Sequence, residues 1–371
     1  MRIPVISADG TPLMPTKPAR ARKWIEQGNA VKCWSDLGVF YVQLASKPSG
    51  TETQPVVMGI DPGKLYSGVG VQSAKASLFM AHLVLPFETV KKRMAQRAMT
   101  RRTRRGRRIN RDVPFAQRNH REKRFDNRVA RKVPPSIKAN RQLELRVAKE
   151  LCRILPISKI VYEYVKARGN KGFSPVMVGQ KAMLGWLSNL APVVTRYGWE
   201  TANLRARLHL EKAKNKKDQT PAAHAVDGIA LACSEFIGSE KYHRHGEDGL
   251  RWTGAVQITE SLFKVIRRPP ISRRQLHLLQ PAKGGKRRSY GGTVTRHGFR
   301  KGDLVKAVSA GRQYIGWVSG DTATQVSVSD INWKRLGQFT ASKVQLIQRS
   351  TGLLASGASN PTQPALYPSH R

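Results

Sequence analysis

Hydrophobic and polar positions follow three different textures along the chain. In residues 1–45, Ile3-Pro4-Val5-Ile6-Ser7 reads as a strand and Asp9-Gly10 as a turn. Ala19–Gln27 reads as a short helix ended by Gly28, and Val31–Trp34 and Val39–Leu44 as two more strands. The polar run Lys47–Gln54 links this module to a region of α/β character. There Val56–Ile60 is a short, wholly apolar strand ending on Asp61, and Gly68–Val71 and Leu78–Leu85 complete a three-stranded meander. Gln142–Leu155 carries Leu143, Val147, Leu151 and Leu155 on one face, which predicts an amphipathic helix leading into the strand Lys159–Val165. After a glycine-bearing loop at Arg168–Ser174, the pattern predicts a helix over Gly179–Tyr197 and a strand at Glu200–Leu204. A charged loop at Glu211–Thr220 follows, then a helix over Ala222–Ile237 opened by Pro221. Beyond Gly249, short alternating runs separated by glycines predict a small β-rich domain. Low charge and abundant Ser, Pro and Ala over Thr351–Arg371 predict a disordered tail.

One stretch fits none of these textures. Between Thr89 and Arg111 stand eleven Lys and Arg residues and no acid, and eight of them are arginines within Arg97–Arg111. Arg93, Arg97, Arg101, Arg104, Arg105 and Arg108 recur at helical spacing, with Arg102, Arg107 and Arg111 between and beyond them. The other side of that helix offers only Met94, Ala95, Ala98 and Met99, too thin a stripe to pack as a core helix.

Composition narrows the partners. The chain has 371 residues, enough for two or three domains, and a formal net charge of +42. Such a field repels itself unless a polyanion neutralises it. No run of eighteen apolar residues and no signal peptide is present, so a membrane is not the expected partner, and nucleic acid is. Cys33, Cys152 and Cys233 are isolated, which predicts neither a zinc ribbon nor a disulfide framework and fits a reducing, cytoplasmic compartment. A structural basic protein of ribosomal type would have the charge without a need for catalytic acids.

Three carboxylates stand out by context. Asp61 ends an apolar strand, Glu163 sits within Ile160-Val161-Tyr162-Glu163-Tyr164-Val165, and Asp227 lies in an otherwise apolar helix, three positions from His224. Singly, each has a bland reading: a turn residue, an edge-strand acid, a salt-bridged helix acid, a satisfied histidine. Together, in a polycation, they point to a nuclease. Converging carboxylates repel one another and invite Mg²⁺, with Mn²⁺ as a substitute, and two such ions can clamp an in-line phosphodiester displacement.

The order Gly59-Ile60-Asp61-Pro62-Gly63, an Arg-rich helix, Tyr162-Glu163-Tyr164, then His224-Ala225-Val226-Asp227-Gly228-Ile229-Ala230 resembles a split RuvC-like nuclease domain of RNase H-like fold. Gly10-Thr11-Pro12-Leu13-Met14-Pro15, followed by Pro18-Ala19-Arg20-Ala21-Arg22, resembles the PLMP module of the transposon-encoded IscB/IsrB proteins, RNA-guided relatives of the type II CRISPR effectors. The resemblance extends over roughly residues 1–350. Glu163 and Asp227 are 64 positions apart, too few for an inserted HNH nuclease beside the fold's own elements, so the chain is more similar to IsrB, the form without HNH. The resemblance implies an α/β protein divided as 1–54 PLMP module and linker, 55–87 RuvC segment I and 88–112 bridge helix. Segment II with its connecting helix would occupy 113–170, the rest of the RuvC fold with segment III 171–248, a β-rich domain reading a target-adjacent motif 249–350, and a tail 351–371.

It also implies a Mg²⁺-dependent nickase of the displaced, non-target DNA strand. Asp61, Glu163, Asp227 and His224 would be its metal-binding and catalytic residues, and the bridge-helix arginines would grip a long structured guide RNA (omega RNA). Arg287, Arg288, Arg296 and Arg300 would be the candidates for contact with double-stranded target DNA beside the guide-paired segment. The implied working form is a monomer in a ribonucleoprotein, in a prokaryotic cytoplasm and at the nucleoid when acting. Two other functions remain open on the residues alone: a RuvC-type structure-specific endonuclease without RNA, and a non-catalytic RNA-binding scaffold.

Overall fold

The alternation of residues 1–45 becomes four strands and a helix in the computed structural model. These are β1 (Ile3–Ile6), β2 (Pro12–Thr16), α1 (Pro18–Glu26), β3 (Ala30–Trp34) and β4 (Phe40–Leu44), with sheet order β2-β1-β4-β3. Pro18 opens α1, where its missing N–H costs nothing. Ile3, Val5, Leu13, Ala21, Ala30 and Val42 form a small core under α1, while Ile6, Leu37, Val39 and Tyr41 join the main core of the chain. The structure describes residues 1–106, 110, 112–117, 133–166, 174–244, 247–271 and 293–356.

The main sheet begins with β5 (Val56–Asp61), β6 (Tyr66–Ser73) and β7 (Ala76–Val84), an antiparallel meander as the pattern predicts. There follow α2 (Phe87–Gly106), α3 (Pro135–Ile154), β8 (Lys159–Tyr164), α4 (Pro175–Leu187), β9 (Val193–Tyr197), α5 (Gly198–Arg207) and α6 (Val226–Cys233). A hairpin, β10 (Ile237–Arg244) and β11 (Glu247–Gly254), precedes β12 (Leu262–Arg267). Then come β13 (Leu304–Ser309), β14 (Arg312–Asp321), β15 (Gln325–Ser329), β16 (Arg335–Thr340), β17 (Val344–Gln348) and the short β18 (Leu354–Ala355). The main sheet has the order β18-β12-β7-β6-β5-β8-β9, with β8 parallel to β5 and β9 parallel to β8. An antiparallel meander continued by two parallel strands is the RNase H-like arrangement. Among the described residues, no helix is long and apolar enough to cross a membrane.

Two compact units divide the chain. One comprises Met1–Leu85, Asn140–Pro269 and the segment from Thr351; the other comprises Pro86–Ala139 and Pro270–Ser350. The boundary expected at Gly249 therefore falls inside β11, and β12 pairs in parallel with β7 in the main sheet. In the second unit, β13–β17 form a five-stranded antiparallel sheet of order β16-β15-β14-β13-β17, around Val305, Ala307, Val318, Val326, Val328 and Phe339.

Three expected elements differ. The helix expected over Gly179–Tyr197 stops at Leu187, and Val193–Tyr197 pairs with β8 as a strand because its β-branched run fits the sheet edge. The strand expected at Glu200–Leu204 is α5, whose Glu200 carboxylate accepts from the Tyr197 N–H at 2.6 Å and starts a helix. The helix expected over Ala222–Ile237 begins as a π turn, Pro221–Ala225, continues as α6 and ends at Cys233.

Alternation along β5 sends Val56, Met58 and Ile60 toward α3 and α4, where Leu143, Val147, Leu151 and Leu155 bury as predicted and Met183 and Leu187 join them. The other face meets α6 almost backbone to backbone. A Cβ at Gly59 would lie 2.0 Å from the Gly228 carbonyl oxygen, one at Gly68 1.8 Å from that of His224, and one at Gly70 2.4 Å from the Ile229 nitrogen. A Cβ on Gly228 would lie 2.5 Å from the Gly70 nitrogen. No side chain fits this contact, so Gly228→Ala is expected to cost about 3 kcal/mol of stability through overpacking against backbone. Gly185→Ala, on the exposed side of α4 with nothing within 4 Å, is the control and is expected to stabilise by about 0.5–1 kcal/mol. Urea denaturation of both variants measures the difference, and equal midpoints would contradict the close-packing account.

Candidate metal centre

Asp61 stands at the carboxyl end of β5, and the turn that carries it is held from below. Buried Arg141 donates to the Gly63 carbonyl at 2.7 Å and to the Tyr162 hydroxyl at 2.8 Å, and it pairs with buried Glu144 at 3.0 Å. The Ser67 hydroxyl donates to Glu144 and accepts from the Gly63 N–H at 3.0 Å, while Asn140 donates to the Lys64 carbonyl. Burial pushes the Glu144 carboxyl up, against the pull of Arg141 and Ser67. Each of Arg141, Glu144, Ser67 and Tyr162 holds at least one other, and these buried bonds fix the turn from Gly63 to Lys64.

The π turn and α6 bring the second half. Ligand atoms of Asp61, His224 and Asp227 all lie within 4.8 Å of one another, and the three are sheltered from solvent. His224 Nδ1 is 3.4 Å from Asp61 Oδ2, and its buried Nε2 has no hydrogen-bond partner among the described residues. The imidazole is wedged against Tyr66 and His82, with ring centroids at 5.7 and 5.4 Å. His82 is fully buried, and burial pushes its pKa down to about 4, so it is a neutral packing surface for His224.

Glu163 projects from β8 beside the N-terminus of α5. Its Oε2 accepts from the Thr201 hydroxyl at 2.6 Å, and a Cβ on Gly198 would stand 3.3 Å from its Oε1. Burial and the charge of Asp61 push its pKa up to about 7. Burial and Asp61 likewise raise Asp227, against the pull of Lys212 and Arg205. Both oxygens of Asp227 are ion-paired: Arg205 Nε lies 2.6 Å from Oδ1, and the Lys212 ammonium binds Oδ2. The sequence pattern pointed to neither cation, nor to Thr201, His82, Arg141 or Glu144. Carboxylates and an imidazole, with one imidazole nitrogen unpartnered and acid pKa values raised by burial and then by the charge of Asp61, form a donor set suited to a hard divalent cation.

The other candidates lie elsewhere. Arg97, Arg101 and Arg102 are exposed on α2, and Arg104 and Arg105 belong to its last turns. Arg93 differs, because its guanidinium donates to the carbonyls of Pro270 and Ile271 at 3.1 and 3.2 Å and so serves the second unit's own structure. Arg107, Arg108, Arg111, Arg287 and Arg288 lie outside the described residues, as does the loop expected from Arg168 up to Ser174. Exposed Arg296 lies 3.8 Å from Asp321, and exposed Arg300 precedes β13, its N–H donating to Asp303.

A family model described as RRXRR protein matches residues 3–177, a span that contains Arg101-Arg102-Thr103-Arg104-Arg105 as well as Asp61 and Glu163. Among solved structures, the chain is similar to Thermus thermophilus RuvC in complex with a Holliday junction substrate. That match has 17% identity, 48% of this chain, 90% of that chain and a TM-score of 0.27. It is similar also to Thermus thermophilus RuvC itself, at 16% identity over the same shares with a TM-score of 0.24. A comparison with curated proteins returned no match. Strand order and direction in this chain are those of the RNase H-like fold.

The acids give a pH prediction. Folded Glu163 holds a proton up to about pH 7, whereas an unperturbed carboxyl releases it near 4.5. Its contribution to stability is therefore complete below about pH 4.5 and is lost as pH rises through about 7. Thermal midpoints of the metal-free protein are expected to fall across that window, and Glu163→Gln is expected to flatten the fall. An unchanged slope in the variant would mean that Glu163 is not the group responsible.

Proposed function

We propose that this chain is an RNA-guided, Mg²⁺-dependent DNA endonuclease that nicks the displaced, non-target strand. The observation that carries the catalytic half is the convergence of Asp61, His224 and Asp227 within 4.8 Å at the carboxyl end of a strand in an RNase H-like sheet, with Glu163 close enough to feel their charge. Asp61, Glu163, Asp227 and His224 would hold the ions, two by the usual logic of such sites. When bound, these ions supply charge neutralisation of the attacking and leaving oxygens. His224, with one nitrogen toward Asp61 and the other unpartnered, is placed to accept a proton from the attacking water. Arg141 and Glu144 keep the Asp61 turn rigid, so the first carboxylate need not reorganise during the reaction.

The guide half rests on α2. Its described outer residues are exposed nearly all round, it carries Arg97, Arg101 and Arg102, and it belongs to a chain of net charge +42. A helix with so little apolar surface to bury is best stabilised by phosphates, and guide RNA supplies them at high density. The β13–β17 unit, with Arg296 and Arg300, is proposed to face double-stranded DNA beside the guide-paired target, and the protein to act as a monomer in a cytoplasmic ribonucleoprotein.

Protein purified with its co-purifying RNA is expected to nick supercoiled plasmid in Mg²⁺ only when the plasmid carries a sequence matching the guide. Asp61→Ala should lower nicking by at least about a thousandfold while leaving RNA content unchanged. Double-strand cleavage, or cleavage indifferent to the guide, would overturn the proposal. Protein free of RNA that cuts branched junctions would replace it with the unguided reading. Reversal of Arg97, Arg101 and Arg102 to Glu is expected to abolish co-purification of RNA, read from the absorbance ratio and gel of the purified particle, while Asp61→Ala retains it.

A further inference from the structure

We propose that Lys212 is an exchangeable counter-ion, seated on Asp227 when no metal is bound and displaced from it by a divalent cation. The inference rests on the metal-centre reading above and concerns how the centre exists without metal.

Asp227 is 2% exposed and stands beside Asp61 and Glu163. A third buried carboxylate in such company is costly unless a cation pairs with it. Two do, one on each oxygen: Arg205 Nε at 2.6 Å from Oδ1, and Lys212 Nζ on Oδ2. Lys212 thus supplies the charge that a divalent ion would supply. A divalent ion and an ammonium crowded onto the same buried oxygen repel each other, so the two compete for Asp227 Oδ2.

The two cations are not equivalent. Arg205 comes from α5 and offers a planar, weakly hydrated guanidinium. Lys212 comes from the segment between α5 and the π turn, a connection anchored where the Ala213 N–H donates to the Ala222 carbonyl. Its flexible stem ends in a compact, strongly hydrated ammonium that water or phosphate can accept readily. That segment also carries Lys214, Lys216 and Lys217, all exposed, so an ammonium leaving Asp227 enters a surface already suited to a polyanion. Lys212 is therefore the partner that yields, and Arg205 the one that stays to hold Asp227 in place.

The test is Mn²⁺ binding to the full chain freed of nucleic acid, by calorimetry, with Asp61→Ala defining the signal that belongs to the centre. Lys212→Met is expected to bind Mn²⁺ about fivefold or more tightly than the wild type, the scale of ordinary coupling between competing ligands. Lys212→Arg should bind no more tightly than the wild type. Lys216→Met, which removes the same charge from the same segment, should stay within about twofold. Equal affinities for Lys212→Met and the wild type, or tightening as large in Lys216→Met, would overturn the proposal. Absence of any Asp61-dependent binding in the wild type would instead overturn the metal-centre reading itself. A second measurement needs no variant. Acylation of wild-type lysines followed by mass spectrometry should label Lys212 severalfold faster at saturating Mn²⁺, with Lys216 unchanged; constant labelling of Lys212 would refute displacement.

Discussion

The contact between α6 and the paired strands β5 and β6 governs the rest of the structure. Gly59, Gly68 and Gly70 face Gly228 and its neighbours at distances that admit hydrogen atoms only. A helix normally rides some 10 Å above a sheet on a layer of side chains, and removal of that layer draws its axis inward. The consequence is positional. Asp227 and His224, which precede and flank Gly228 in sequence, descend to the level of the strand end that carries Asp61. The π turn over Pro221–Ala225 widens the helix at His224, where a regular turn would set a different spacing. Without the glycine contact the same residues would stand farther from Asp61 than the 4.8 Å that encloses their ligand atoms here.

Below this contact the chain treats its charged groups in two ways. Arg141, Glu144, Ser67 and Tyr162 form a buried network in which the charges of Arg141 and Glu144 pair and the two hydroxyls bind one charge each. Above it, the acids of the centre are buried beside one another, and burial first and the charge of Asp61 second raise Glu163 and Asp227. Rigid support beneath and electrostatic tension above are the arrangement expected of a site built to take up charge, since preorganised groups need not move when charge arrives.

What was legible in the sequence follows from how local each signal is. Asp61, Glu163 and Asp227 stand out because each is a carboxylate among apolar neighbours, and His224 follows from its spacing to Asp227. The meander β5–β7 and the buried face of α3 were equally readable, because their periods are carried by contiguous residues. The swap of helix and strand around Val193–Arg207 was not. A valine pair followed by Thr195 decides the first, and a Glu200 capping contact decides the second, and both depend on β8 lying alongside. Lys212 and Arg205 had no signal at all, being two of 66 basic residues, and only the fold sets them on Asp227. His82 was hidden for the opposite reason, as one more position in an apolar strand. The glycines were visible but mute, since Gly59, Gly68, Gly70 and Gly228 acquire meaning only when opposed in space.

The charge of the whole chain bears on this centre. A net charge of +42 draws in polyanions and, by the same field, repels small cations. An acidic cluster inside such a protein therefore faces a deficit of divalent ions around it until the field is neutralised. Nucleic acid along the basic surfaces removes that field and brings its own counter-ion atmosphere with it. In the proposed reading, metal occupancy and nucleic-acid occupancy of this chain are thus one linked equilibrium. The internal pairing of Asp227 with Lys212 and Arg205 is what keeps the acids compatible with a folded core while the metal is absent.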